Sequence, residues 1–165
     1  MNPGWTGLGI DVSQSSIDYA QKLAKLKGVA DRVSFEVADM SLLPFLSRSI
    51  DLLIASEVLE HLPDPKATLA EIRRVLVLGG SLALTIPIES HTPAHMTSVS
   101  SAEEFRSLCA EAGLRIKSLT AKWHLTFGDD ARHLFAVVER ETSRVYSLAA
   151  PRIRPAFHSD GLISS

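Results

Sequence analysis

Two uninterrupted apolar runs of strand length constrain the fold of this chain more than any other feature. They cover residues 51–56 (DLLIAS) and 81–86 (SLALTI), and Pro87 closes the second run. Strands without polar alternation are typical of parallel sheets that helices cover on both faces. The two runs therefore predict the centre of an α/β domain.

The segment between these runs has the pattern of an amphipathic helix. Asp64 is a good N-cap, and Pro65 suits the first helical position. The apolar residues that follow at helical spacing are Leu69, Ile72, Val75 and Leu76. Gly79 and Gly80 then predict the end of this helix, directly before the second strand.

The N-terminal part of the chain has the same strand–helix–strand order. Residues 7–10 form a short apolar run that ends at Asp11. Ser13 is placed to cap a helix that stops at Gly28. Residues 32–38 alternate apolar and polar side chains, which predicts a further strand.

The only cysteine, Cys109, falls in a predicted helix over residues 103–112. Ser101 and Glu104 form a candidate capping box at its start, and Gly113 ends it. A single cysteine excludes an internal disulfide and any zinc site built from several cysteines. Its position on the apolar side of the helix favours a buried thiol over a nucleophile.

Two strands without an intervening helix close the predicted domain. They cover residues 114–125 and 133–140, around a turn over 126–131, and predict a late antiparallel strand in a mostly parallel sheet. Residues 1–140 are therefore predicted to form one domain. Residues 141–165 show little periodicity and are predicted to form an irregular tail.

Composition narrows the functional classes. The formal net charge of -2 and the pI near 6.3 disfavour nucleic acid as a partner, because non-specific binding needs a basic surface. The sequence has no run near the roughly 18 apolar residues of a membrane span, and its start lacks a signal-peptide pattern. These features lead us to expect a cytoplasmic protein without a membrane partner.

Four stretches, taken in order, resemble one family of enzymes. They are GLGIDVSQSSIDYAQ, VSFEVADM, IDLLIASEVLEHLPDP and LAEIRRVLVLGGSLALTIP, with a weaker continuation in VSSAEEFRSLCAEAGLRI. Their order and spacing are similar to those of small-molecule class I S-adenosylmethionine-dependent methyltransferases, especially the ubiquinone and menaquinone type. The resemblance covers about residues 5–140. It implies a three-layer Rossmann-like α/β sheet and methyl transfer from S-adenosylmethionine to a small-molecule acceptor.

Asp11 is the first candidate cofactor residue. It ends a strand at the carboxyl edge of the sheet, where open α/β sheets bind their ligands, and its carboxylate can accept both ribose hydroxyls of an adenosine. An alternative is that Asp11 only caps the following helix, although Ser13 is better placed for that role. The resemblance also implies that Val12 is an apolar wall beside the adenine.

Asp39 and Met40 end the next strand. The resemblance implies that Asp39 accepts from the adenine amino group and that Met40 packs against the ring. The alternative is that Asp39, which stands before Ser41, is a turn former. Ser56, at the end of residues 51–56, completes the predicted cofactor residues.

The cluster that follows Ser56 predicts the catalytic side. Glu57 and His61 are the candidate catalytic residues, and Glu60 shares one helical face with them if a turn begins there. The E-x-x-E-H pattern resembles that of metal-assisted methyltransferases, in which His91 or His95 would add a ligand to a divalent ion. The alternatives are a general-base role for His61 and a solvated Glu60 without metal.

The resemblance also implies a strand and a glycine-rich turn before Gly7, which the first residues do not match. The fold is therefore expected to lack that first strand and loop, which would lie between the strands ending at Asp11 and Ser56. Two open strand edges predict either self-association or a rearranged sheet. The alternative function is a non-catalytic remnant or interaction module that has lost cofactor binding.

Two further predictions concern the second half of the chain. Residues 89–99, rich in His, Ser and Thr, are the candidate acceptor-side loop. Trp123, His124 and His133 are interpreted as core or surface filling on the late strands.

Overall fold

A computed structural model describes residues 4–88, 95–96, 99–123 and 132–141. The strands are β1 (Gly7–Asp11), β2 (Val33–Val37), β3 (Ile50–Ser56), β4 (Leu76–Ile88), β5 (Leu114–Trp123) and β6 (Arg132–Arg140). The helices are α1 (Gln14–Leu26), α2 (Pro65–Val75) and α3 (Ala102–Glu111), and a short 3-10 turn covers Leu59–His61. β3 follows β2 without an intervening helix, and α2 lies between β3 and β4, as the two apolar runs predict.

The strands form two sheets. β1 pairs in parallel with β2, and the larger sheet has the order β3-β4-β6-β5. β3 and β4 are parallel, whereas β6 runs antiparallel to both β4 and β5. The predicted α/β class with a late antiparallel strand is therefore confirmed.

The helices begin at the predicted residues. The side chains of Ser13, Asp64 and Ser101 each accept a hydrogen bond from the backbone amide three residues further on. The capping box at Ser101 differs in one detail, because the Glu104 carboxylate accepts from the amide and hydroxyl of Ser100. The local sequence thus determines where each helix starts.

The end of α2 differs from the prediction. The helix ends at Val75, and β4 already begins at Leu76, which pairs with Ile50. The next pair in the register is Leu52 with Ser81, so residues 77–80 bulge out of the ladder, with Gly79 at a φ of 76°. The predictions that Gly79 and Gly80 end the helix and that the strand covers only residues 81–86 are wrong.

Pro87 also lies inside β4 and does not close it, because the strand continues to Ile88. Its partner in the register is His133 of β6. On the other side, the pairing with β3 ends at Thr85, so the missing amide hydrogen of proline interrupts no ladder there.

The core lies between the larger sheet and the helices α2 and α3. The helices contribute Leu69, Ile72, Val75, Phe105 and Cys109, and the strands contribute Leu82, Leu84, Leu134, Ala136 and Val138, all of them buried. Burial raises the pKa of the Cys109 thiol to about 12. The structure therefore agrees with the interpretation of Cys109 as a buried apolar residue.

Two arginines fix the surroundings of α2. Arg140 is buried, and its Nη1 donates to the carbonyl oxygens of Arg73 (2.7 Å), Leu76 (2.9 Å) and Arg74 (3.2 Å). Arg74 donates to the carbonyl oxygen of Phe45 and pairs with Glu71, whose carboxylate accepts from the Leu43 amide. The C-terminal end of α2 and the loop before β3 are thus joined by charged hydrogen bonds.

The edges of β1 and β3 face each other across a cleft. Among the described residues, β1 pairs with β2 alone and β3 with β4 alone. The two edges have not closed onto each other, so the rearrangement that the open edges predicted is absent from this part of the chain. Self-association through these edges stays a prediction.

Several predictions lie outside the described residues: the turn over 126–131, His91, His124, most of the candidate loop over 89–99, and the tail beyond residue 141. None of the helices in the described part of the chain is long and apolar enough to cross a membrane.

Candidate active site

The cleft between β1 and β3 is the candidate active site. Its volume is about 820 Å³, and its walls are the apolar edges of the two strands. The residues that follow the strand ends also line it: Asp11, Val12, Asp39, Met40, Glu57 and His61. The cleft occupies the space between the two strand edges where the resemblance places a further strand, and its end at the carboxyl ends of the strands is where α/β sheets bind ligands.

The predicted residues Asp11 and Val12 both line the cleft. Asp11 Oδ1 accepts a hydrogen bond of 2.8 Å from the backbone amide of Ser13. The helix cap itself is the Ser13 hydroxyl, so Asp11 stabilises the turn before α1 without being the cap. The Val12 side chain is 71% exposed and presents an apolar surface beside the carboxylate.

Asp39 and Met40 line the same side of the cleft. Asp39 Oδ1 accepts from the backbone amide of Ser41 at 2.8 Å, and the backbone and side-chain hydrogen bonds from Ser41 lower the pKa of Asp39. Asp39 is therefore a turn former, as the alternative interpretation proposed, and also an ionised group at the cleft. Ser56 lies outside the cleft lining, and its hydroxyl hydrogen-bonds to Thr85 at 2.9 Å. Its predicted cofactor role gains no support from this position.

Glu57 faces the cleft from the end of β3 and has an unusual conformation. Its φ is 52°, a left-handed conformation that non-glycine residues seldom adopt outside turns and functional sites. Its carboxylate Oε2 accepts from His133 Nε2 at 3.0 Å, and His133 is buried at the start of β6. A rigid partner therefore holds the Glu57 side chain in position.

The interpretation of His133 as a residue that only fills the core or the surface did not include this hydrogen bond to Glu57. The two residues are 76 positions apart, and the polar pair forms only because β6 inserts beside β4. A histidine at the start of a predicted strand is the only signal in the sequence, and it does not identify a partner.

Glu60, His61 and His95 form a second polar group beside Glu57. Glu60 is 2% exposed, and its Oε1 lies 3.8 Å from His61 Nε2. The ring centroids of His61 and His95 are 5.3 Å apart. Burial raises the pKa of Glu60, and the nearby Glu57 carboxylate raises it further. The 3-10 turn covers only Leu59–His61, and Glu57 precedes it in a left-handed conformation, so the helical turn that would place Glu57 on one face with Glu60 and His61 is absent. The turn also buries Glu60, which the sequence left as a candidate for solvation.

Comparison with known proteins identifies the family. The model described as "Methyltransferase domain" matches residues 1–136, so the chain belongs to the methyltransferase domain family. The O-methyltransferase resE of Aspergillus sclerotiorum is 34% identical over an alignment of 124 positions that covers 68% of this chain and 47% of that protein. The chain spans less than half the length of this and two other curated relatives that it matches.

Solved structures agree on the fold. The crystal structure of the cyclase SpnF has a TM-score of 0.75 at 18% identity, covering 86% of this chain and 68% of that one. Geranyl diphosphate methyltransferase in complex with S-adenosylmethionine has a TM-score of 0.69 at 17% identity, covering 83% and 69%. The sequence resemblance to class I S-adenosylmethionine-dependent methyltransferases is therefore confirmed at the level of the family and the fold.

Proposed function

We propose that this chain binds S-adenosylmethionine in the cleft between β1 and β3 and takes part in methyl transfer to a small-molecule acceptor. The observation that supports this most is the arrangement of the cleft. Asp11 and Asp39 stand at the ends of adjacent strands, and Glu57 and His61 follow β3. Membership of the methyltransferase domain family supports the reaction, and the name of the Aspergillus relative favours an oxygen acceptor.

The residues of the cleft fit this cofactor chemically. Asp11 would accept hydrogen bonds from the ribose hydroxyls, and Asp39, which is held ionised, would accept from the adenine amino group. Val12 and Met40 would flank the adenine ring with apolar surface. All four residues line the same cleft.

When bound, S-adenosylmethionine supplies a sulfonium methyl group, and S-adenosylhomocysteine is released as the carbon–sulfur bond breaks. The protein's part is to align the acceptor with that methyl group and to receive the proton that a hydroxyl loses as its new bond to carbon forms. Glu57 is the candidate base, because it faces the cleft and is held by His133. His61 is the second candidate.

Titration calorimetry with S-adenosylmethionine and S-adenosylhomocysteine tests the cofactor site. Asp11→Asn and Asp39→Asn each replace a charged hydrogen bond of about 1.5–3 kcal/mol by a neutral one of about 0.5–1.5 kcal/mol, so we expect roughly a 5- to 13-fold loss of affinity. Asp31→Asn makes the same change of charge at an exposed residue outside the cleft and should leave affinity unchanged.

The outcomes separate the two functions. Absence of binding at millimolar cofactor would contradict the enzyme hypothesis for this chain and would favour the non-catalytic remnant. If binding occurs, acceptors can be screened through release of S-adenosylhomocysteine. Glu57→Gln should then abolish transfer while cofactor affinity stays unchanged, and full activity in this variant would remove Glu57 from the catalytic step.

The cellular setting belongs to the same proposal. We expect a cytoplasmic location, which cell fractionation would test. We also expect self-association through the edges of β1 and β3, which analytical ultracentrifugation would test.

A further inference from the structure

Three metal-ligating side chains meet beside the cleft. One potential ligand atom from each of Glu60, His61 and His95 lies within 4.8 Å of the other two. The backbone holds the group together, because the Met96 amide donates to the Glu60 carbonyl oxygen at 2.8 Å. His95 is thereby fixed against the turn that contains the other two residues, although it lies more than thirty positions away in the sequence.

The buried carboxylate of Glu60 is an independent indication of a bound cation. Its side chain is 2% exposed, and in the described part of the chain no donor reaches its Oε2 atom. A buried carboxylate that keeps one oxygen without a donor is costly unless it takes up a proton or faces a positive charge. An imidazole nitrogen from each of His61 and His95 lies within 4.8 Å of this carboxylate, and this convergence favours a shared cation over protonation of Glu60 alone.

We infer that Glu60, His61 and His95 form a binding site for a first-row divalent metal ion such as Zn²⁺. Two imidazoles and one carboxylate are a donor set that suits zinc or cobalt better than magnesium or calcium, which prefer oxygen ligands. The sequence pattern had grouped Glu57 with these residues, but the structure pairs Glu57 with His133. The proposed metal site therefore excludes Glu57, one of the residues that the E-x-x-E-H pattern predicts as ligands.

The position of the site gives the ion a function that rests on the proposed methyl transfer. His61 belongs both to the metal group and to the lining of the cleft. An ion held there would place positive charge beside the acceptor and favour the ionised form of its hydroxyl. The binding of the ion itself does not depend on that proposal.

The test titrates chelator-treated, full-length chain with ZnCl₂ by calorimetry and with CoCl₂ by visible absorption. We expect one saturable equivalent per chain and weaker binding of Mg²⁺ and Ca²⁺. His95→Ala and Glu60→Gln should each weaken Zn²⁺ binding by at least about tenfold. Glu103→Gln, which makes the same change in an exposed carboxylate on α3, should bind like the wild type.

The possible results are distinguishable. Absence of saturable Zn²⁺ binding, or equal affinity in the wild type and His95→Ala, would overturn the site. Stronger binding of Mg²⁺ than of Zn²⁺ would overturn the assignment of the donor set. Because Glu60 is buried, the Zn²⁺ affinity of Glu60→Gln is interpreted only if the circular dichroism spectrum of this variant is native. If it is not, the Zn²⁺ affinity of His95→Ala tests the site. Failure here leaves the cofactor titration unaffected, so the two proposals can fail separately.

Discussion

Arg140 allows the strength of one buried contact to be predicted from the structure. Its Nη1 donates to three carbonyl oxygens at the end of α2, and one of these, that of Arg74, also accepts from the Arg48 amide. Arg140→Met keeps the aliphatic stem and removes the donors. Because the Arg74 carbonyl keeps the Arg48 amide as a donor, the loss is counted for the other two carbonyls, of Arg73 and Leu76. At about 1.5 kcal/mol or more for each charged hydrogen bond, the destabilisation is roughly 3 kcal/mol or more.

One effect offsets part of this loss. Burial and the neighbouring Arg73 and Arg48 lower the pKa of the Arg140 guanidinium. Burying this charge therefore costs free energy of desolvation, a cost that the uncharged methionine side chain does not have. We therefore expect a net decrease of about 2–3 kcal/mol in the free energy of unfolding.

Urea denaturation followed by circular dichroism measures the change, with Arg106→Met as the control. Arg106 lies on the surface, and its side chain is 51% exposed with its ion-pair partner Glu103 at 3.9 Å. Its substitution should change the free energy of unfolding by less than about 1 kcal/mol. Equal destabilisation by the two substitutions would refute the reasoning that the buried carbonyl contacts matter.

Two further predictions follow from pKa shifts. Burial raises the pKa of the Cys109 thiol to about 12, so iodoacetamide at pH 8 should modify this residue only after the chain is unfolded in urea. Mass spectrometry measures the labelling, and equal labelling of the native and the unfolded chain would contradict the burial of Cys109. The hydrogen bond from Arg74 lowers the pKa of Glu71 below its ordinary value of 4.5. The Glu71–Arg74 pair should therefore stabilise the fold fully above pH 4.5, and this stabilisation should be lost as the pH falls through the lowered pKa. Glu71→Gln should reduce the acid-induced loss of stability measured by thermal unfolding, and an unchanged pH profile would exclude this contribution.

Local sequence signals predicted the starts of the helices well, because Ser and Asp side chains strongly prefer the N-cap position. Ser13, Asp64 and Ser101 begin the three helices because their side chains reach the amide three residues on, whatever the rest of the fold does. The glycine pair at residues 79–80 gave a wrong prediction for the end of α2, because long-range strand pairing determines where this helix ends. Leu76 is extended since Ile50 pairs with it, and no local pattern contains that contact.

The candidate site was predictable at the ends of strands and not beyond them. Asp11, Asp39 and Glu57 each stand at or just after the carboxyl end of a predicted strand, so their meeting at one cleft follows from the order of the strands. His133 and His95 could not be assigned in this way. Each reaches the site through a contact between distant segments, one through the insertion of β6 and one through the Met96 amide.

The cleft between β1 and β3 also affects how the chain unfolds. In the described residues no backbone ladder joins the two sheets. Ile10 of β1 packs against the core of the larger sheet, as do Met40 and Phe45 of the segment between β2 and β3. The unit of β1, α1 and β2 can open on its own as a separate foldon, with amide protons that exchange before those of the larger sheet. A ligand that touches both walls would couple the two foldons, so that cooperativity, and not only stability, increases when the cleft is filled.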